Sequence, residues 1–363
     1  MAERCPRCDF DLAPEGDCPA CGAAGGGESR ARGSLTHALS FGCSLLLVAG
    51  CLGSYLLWAP DAAVPIARRA AAISQIDRST ASAPATERSA DPPSAAPRQA
   101  PIAGHHPPTA SEAEYLAWME LHTSEGAEQL AKKWERSLAI IARQDLTSES
   151  VLEAFLYAPR EFFARRYNLK KAYDDTAIPI GHGQTISGPN MVCAMTNAVD
   201  PRPGDRVLEV GTGSGYQSAV LAELSDFVYT IEIVEPLYEE TNAIYEKLET
   251  GYPQYKNIAR YRGDGYFGLP DRAPFQKIIV TAGIDHIPPP LLRQLAPGGV
   301  MVIPVGPPSG QTILKIVKVP APGGGFTFTR QDIYHGKRVK FVPFTSDQGG
   351  AHNLGDAGPE AGK

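Results

Sequence analysis

The 363-residue chain is short of cysteine, and what it has is unevenly spread. Four of the seven cysteines lie in the first 21 residues, two more at positions 43 and 51, and only Cys193 beyond. That count excludes a disulfide scaffold for a chain of this length. There is no basic excess either. Thirty-four Lys and Arg stand against 40 Asp and Glu, a net charge of −6, so no nucleic-acid partner is expected. Charged residues are missing altogether from Gly33 to Pro60, and aromatic residues are missing from residues 60–110. Gly and Pro, at 36 and 32, are by contrast abundant, so a good part of the chain is expected to be non-globular. Length alone would allow two to three domains.

The first 32 residues carry Cys5-Pro-Arg-Cys8 and Cys18-Pro-Ala-Cys21-Gly22. Two such knuckles can present four thiolates to one tetrahedral zinc, and a segment this short would fold only with the metal. Residues 1–32 are therefore expected to form a four-cysteine, zinc-ribbon-like segment with Cys5, Cys8, Cys18 and Cys21 as ligands. Residues 33–60 follow as a transmembrane helix. Its apolar run, residues 38–59, would span about 33 Å as a helix, against a bilayer core of about 30 Å. Tyr55 and Trp58 sit near one end, where amphipathic rings favour the interface. Val48-Ala49-Gly50-Cys51 resembles a lipoprotein cleavage box, but apolar residues continue to Ala59, which favours a single-pass anchor.

Arginines flank the run on both sides, so the positive-inside rule leaves its orientation open. Zinc thiolates suit the cytosol, yet one span separates the residues on its two sides. The larger region after the run is placed, by a slight margin, on the cytoplasmic side; the usual pairing of a cytosolic ribbon with an exported domain argues the reverse. Residues 61–110, rich in Ala and Pro, read as a disordered linker, and residues 346–363 as a disordered tail. Globular structure is left to residues 111–345.

That region opens with helical spacing. Ser111 is placed to cap a run bearing Tyr115 and Met119; Leu130, Trp134, Leu138 and Ile141 mark a second helix; Ser150-x-x-Glu153 has the form of a capping box for a third. From Pro203 the pattern changes to strands alternating with helices. Strands are expected at Arg206–Val210, Phe227–Ile233, Ile258–Arg262, Lys277–Thr281 and Val300–Val305. Helices are expected at Tyr216–Leu224, Pro236–Thr250 and Pro289–Leu295. This is the signature of an α/β, doubly wound, mostly parallel sheet. Thr312–Val319 and Phe326–Tyr334 add an antiparallel edge.

Three strand ends carry the chemistry. The first runs through Glu209 into Gly211-Thr212-Gly213-Ser214-Gly215, a loop that turns sharply and brings backbone close to a ligand. Glu232 ends the second strand, where a carboxylate can accept from ribose hydroxyls. Asp264 and Gly265 follow the third, near a purine edge. The spacing differs from a dinucleotide fingerprint, which would want Gly where Tyr216 stands, and no P-loop lysine is present. Together the three ends point to S-adenosylmethionine.

Residues 145–345 resemble protein-L-isoaspartate O-methyltransferases. Besides the glycine loop and Gly263-Asp-Gly265, the resemblance rests on Pro159-Arg-Glu-Phe162, Ile178-Pro-Ile-Gly-His-Gly-Gln-Thr-Ile-Ser187, Gln294-Leu-Ala-Pro-Gly-Gly299, Ile303-Pro-Val-Gly306 and Phe341-Val-Pro343. The Gly-Gln-Thr-Ile-Ser segment is the most specific of these. The resemblance implies a Rossmann-like methyltransferase fold and methyl transfer from S-adenosylmethionine to the free carboxylate of isoaspartyl residues in proteins or peptides. It also implies a monomeric catalytic domain. In that reading Ser187 hydrogen-bonds the carboxylate, Thr185 and Ile186 shape the pocket, and Gln184 closes over the cofactor. On the residues alone, Ser187 could instead cap the helix that begins at Pro189. His182 reads as structural and Cys193 as a small buried residue. Asn190, Val192 and Gln276 depart from the family pattern, the last placing an amide where the family usually has Asp. Two other readings stay open: methylation of a different peptide carboxylate, and a non-catalytic membrane adaptor.

Overall fold

The computed structural model describes residues 106–346. The cysteines of the zinc segment, the 38–59 span, most of the linker and the tail lie outside the described residues. Among the described residues no helix is long and apolar enough to cross a membrane, and no group of three metal-binding side chains occurs.

Helices come first: α1 (Glu112–His122), α2 (Ala127–Ala142), α3 (Glu149–Tyr157) and the single turn α4 (Arg160–Phe163). Ser111 caps α1, its hydroxyl accepting from the Glu114 amide. The cap of α3 is Ser148 rather than the expected Ser150. Asn197 explains the choice: its side-chain oxygen accepts from the Thr147 and Ser148 amides and fixes the entry to the helix two residues earlier. Leu138 lies on the solvent side of α2, while Leu130 and Trp134 are buried.

A short hairpin follows, β1 (Ile178–Gly181) and β2 (Gln184–Ile186), and then α5 (Pro189–Val199). Strands and helices alternate thereafter: β3 (Arg206–Val210), α6 (Tyr216–Ala222), β4 (Phe227–Glu232), α7 (Glu235–Leu248), β5 (Ile258–Arg262), β6 (Phe275–Val280), α8 (Pro289–Gln294) and β7 (Leu295–Val305). The antiparallel edge is β8 (Thr312–Pro320) and β9 (Phe326–Asp332).

The seven strands lie in the order β5-β4-β3-β6-β7-β8-β9, the first five parallel and the last two antiparallel. Helices cover both faces, so the central strands β3 and β6 bury most of their residues. Side-chain alternation separates two cores. Val207 joins the one beneath α1–α7, while Leu208 and Val210 join the one that includes Leu291 and Leu292 of α8. Chain direction across the sheet reverses between β3 and β6, the place where a doubly wound sheet opens a crevice at its carboxyl edge.

The leading helices are joined to this body by a buried polar cluster. Lys133 of α2 pairs with Glu125, and neither side chain reaches solvent. Tyr252 donates to Glu125 at 3.2 Å, and Tyr173 donates to the neighbouring Glu161 at 2.6 Å. Burial, with the Glu161 carboxyl adding to it, pushes the Glu125 carboxyl up against the pull of Lys133.

Candidate active site

A cleft opens where the β3–β6 reversal predicts it. Its floor is the loop after β3. Gly211 and Gly215 both have positive φ, at 95° and 93°. A Cβ at Gly211 would stand 2.5 Å from the Thr281 hydroxyl, and one at Gly215 would stand 2.9 Å from both Thr241 and the Tyr245 hydroxyl. Neither position admits a side chain. Thr241 donates to the Gly213 carbonyl at 2.7 Å, which ties the loop to α7.

Two carboxyls face this loop. Glu232 accepts from the Gly213 amide at 2.7 Å and from the Ile233 and Val234 amides at 3.1 and 2.9 Å. Burial raises its pKa, and those three amides oppose the rise. Glu209 is fully buried and pushed up to about 8, by burial first, against the hydroxyls of Ser218 and Thr230. Thr230 donates to its Oε2 at 2.6 Å; Oε1 is buried with no partner among the described residues. An acceptor stranded beside a glycine cradle, next to a carboxylate held by backbone amides, suits a ligand carrying hydroxyl and amine donors.

The second wall is the β1–β2 hairpin. Its tip, Gly181-His182-Gly183, has three consecutive positive φ values, so the strands reverse within two residues. That reversal aims Gln184, Thr185, Ile186 and Ser187 at the cleft, which all four line. Among the described residues the Ser187 hydroxyl has no hydrogen-bond partner, and Gly188 occupies the cap position of α5. Ser187 is therefore not spent on capping. His182 points elsewhere, its Nε2 lying 3.1 Å from Glu240 of α7. Cys193 is buried on α5, as expected.

Asp264 is placed differently from its neighbours in the sequence reading. It caps its own turn, accepting from the Tyr266 amide at 2.9 Å, while Gly265 rather than Asp264 lines the cleft. Gln276 offers an acceptor at this position, its Oε1 taking the Arg206 amide at 2.9 Å. Val192 is buried in the cleft wall.

Sequence reasoning missed several cleft residues. Thr281 directly follows β6 and donates to the Gly211 carbonyl at 2.6 Å. Val342–Thr345 form the outer wall, held by Gly283 donating to the Val342 carbonyl and Phe344 donating to that of Gly283. The Phe341-Val-Pro343 motif was the available signal for this wall. Met191 and Met195, one helical turn apart on α5, complete an apolar side.

The family described as protein-L-isoaspartate(D-aspartate) O-methyltransferase matches residues 135–349. Among curated relatives, protein-L-isoaspartate O-methyltransferase of Opitutus terrae is 44% identical over 229 residues, covering 62% of this chain and 93% of that protein. Protein-L-isoaspartate O-methyltransferase 1 of Nitrosospira multiformis is 43% identical over 216 residues, covering 60% and 87%. The Ignicoccus hospitalis protein-L-isoaspartate O-methyltransferase is 46% identical over 193 residues, covering 52% and 89%. With its glycine loop, hairpin and outer wall all inside the matched stretch, the chain belongs to the protein-L-isoaspartate(D-aspartate) O-methyltransferase family.

Proposed function

We propose that the protein transfers a methyl group from S-adenosylmethionine to the free α-carboxylate of L-isoaspartyl residues in damaged proteins or peptides, the first step of repair through a succinimide. One observation carries this reading beyond family membership: the hairpin sets the uncommitted hydroxyl of Ser187 over the glycine loop and its two carboxyls. Bound S-adenosylmethionine supplies an electrophilic methyl group on a sulfonium. Glu232, Glu209 and the 211–215 loop are the residues that would hold it.

The remaining demands on the chain are modest. A substrate carboxylate of pKa near 4 is ionised at neutral pH, so no general base is required. Ser187 donates to the carboxylate and fixes its angle of approach, Thr185 and Ile186 shape its pocket, and Gln184 closes over the cofactor. Met191, Val192, Met195 and Phe344 exclude water from the reacting pair. The methyl ester then cyclises by attack of the following backbone nitrogen with loss of methanol. That step needs no protein group.

The test is methyl transfer by the purified protein to an isoaspartyl peptide and to its aspartyl isomer. Activity on the first alone is expected; equal activity on both would refute isoaspartyl specificity. Ser187→Ala should lower kcat/KM by about 10–100-fold, the loss of one hydrogen bond to a charged group. S-adenosylhomocysteine affinity should stay within about two-fold.

The same reading extends to the residues ahead of the enzyme. Cys5, Cys8, Cys18 and Cys21 bind one structural zinc, and residues 38–59 anchor the chain as a single span, with the monomeric catalytic domain on the cytoplasmic side. Metal analysis of the wild type against Cys18→Ser tests the first. Reporter fusions at about residue 30 and residue 110 test the second.

A further inference from the structure

The described cleft lining contains two carboxyls, Glu209 and Glu232, and no lysine, arginine or histidine. A site for an anionic substrate must offset the cost of taking that carboxylate out of water, and one serine hydroxyl does so only in part. The missing charge lies immediately behind Ser187.

Arg160 of α4 is fully buried. Its Nε donates to the Ala172 carbonyl, and one terminal nitrogen donates to the Ser187 carbonyl at 2.6 Å. Its other terminal nitrogen is buried with no partner among the described residues. The guanidinium carbon stands 4.8 Å from the ring centre of Tyr216, a residue that also lines the cleft. Among the described residues Arg160 pairs with no carboxylate. Buried arginines are ordinarily neutralised by one, because an isolated buried charge is costly. Burial pulls the Arg160 pKa down, but a guanidinium stays charged at neutral pH.

We propose that Arg160 is a positioning residue for the substrate carboxylate: it fixes Ser187 through the backbone and supplies the positive charge that the cleft lining lacks. This rests on the reading above, in which Ser187 receives the carboxylate. A purely structural staple between α4, the turn at Ala172 and Ser187 would need the hydrogen bonds but not the charge, and the two roles predict different kinetics. Forming the O–CH3 bond neutralises the carboxylate. The attraction of Arg160 is therefore stronger for bound substrate than for the transition state, and its loss raises KM more than it lowers kcat. The neutral ester product feels no such hold.

The experiment uses the full-length protein, an isoaspartyl peptide and the same peptide with its α-carboxylate converted to carboxamide. Affinities are measured calorimetrically with S-adenosylhomocysteine bound, so that no sulfonium contributes charge. Wild type is expected to bind the acid at least about ten-fold more tightly than the amide, as a nearby charge at an effective dielectric of about 20 implies. That preference should persist at about 0.5 M salt, since a buried charge is poorly screened. In steady-state kinetics Arg160→Gln should raise KM about ten-fold or more with kcat within about three-fold, and Arg160→Lys should recover part of the loss.

Equal affinity of wild type for acid and amide overturns the proposal even if neither variant folds. A fall in kcat at unchanged KM, alongside weakened S-adenosylhomocysteine binding, overturns it in favour of the staple. The function itself is judged separately: wild type that methylates isoaspartyl peptide without an acid-over-amide preference refutes only the role of Arg160.

Discussion

Gly265 offers the sharpest test of how the cleft floor is built. A Cβ at this position would stand 2.4 Å from Cγ1 of Val210 and 3.3 Å from Cγ2 of Ile231. Val210 ends β3 directly ahead of the glycine loop, is 3% exposed, and is β-branched, so its methyl cannot swing aside. Overpacking of this kind costs about 1–3 kcal/mol. The reduced freedom of the unfolded chain returns about 0.4–1 kcal/mol. The net expectation for Gly265→Ala is a loss of about 1–2 kcal/mol, or roughly 2–8 °C in Tm for a domain of this size. Val210→Ala alone removes two buried methyls and should cost about 2–3 kcal/mol. The double variant relieves the clash, so its loss should fall short of the sum by at least about 1 kcal/mol. Thermal and urea unfolding of all four proteins measure this, and S-adenosylhomocysteine titration shows whether the loop beyond Val210 has shifted. Additivity within about 0.5 kcal/mol would refute the reasoning, because the strain would then be absorbed by the Gly265 backbone.

Two further predictions concern buried charge. Lys133→Met leaves Glu125 buried without its cation and should destabilise by on the order of 3 kcal/mol. Adding Glu125→Gln should recover part of that loss in urea unfolding, and full persistence of the loss would refute the pairing. Glu209, held at about 8 against an ordinary value of 4.5, binds its proton in the folded state where the unfolded chain has released it. Between those two pH values stability falls as pH rises, by up to about 1.4 kcal/mol per unit for this group. Glu209→Gln should remove that share of the slope across pH 5–8; an unchanged slope would show that Glu209 is not the group responsible.

Much of the sheet could be read ahead of the structure because its signals are local. Arg206–Val210 and Ile258–Arg262 are short strand-like segments bounded by turn residues, and both strands have the expected ends. The glycine loop and Glu232 meet in one cleft because β3 and β4 are adjacent parallel strands whose carboxyl ends lie side by side. What was missed depends on distant contacts. Strand β7 begins at Leu295, five residues early, since Pro297-Gly298-Gly299 has the composition of a turn but is carried along the edge of β6 with an irregular register. Ser148 displaces Ser150 as a cap only because Asn197, 49 residues away, binds its amide. Arg160 sits within a motif that flags the family, yet its role follows from a bond to Ser187, 27 residues on. No local pattern signals that a buried arginine lacks a carboxylate partner.

The outer wall of the cleft bears on how the enzyme is made. Residues 342–345 are added after every strand of the sheet, and they close the site by pairing with Gly283. A chain ending at Lys340 would keep all seven strands and the glycine loop but lack one side of the cleft. During synthesis, then, the sheet can assemble from the growing chain well before the enclosed site exists. A nascent chain has no enclosed cleft until this late segment has emerged, so exclusion of water from the site is among the last properties of the catalytic domain to be completed.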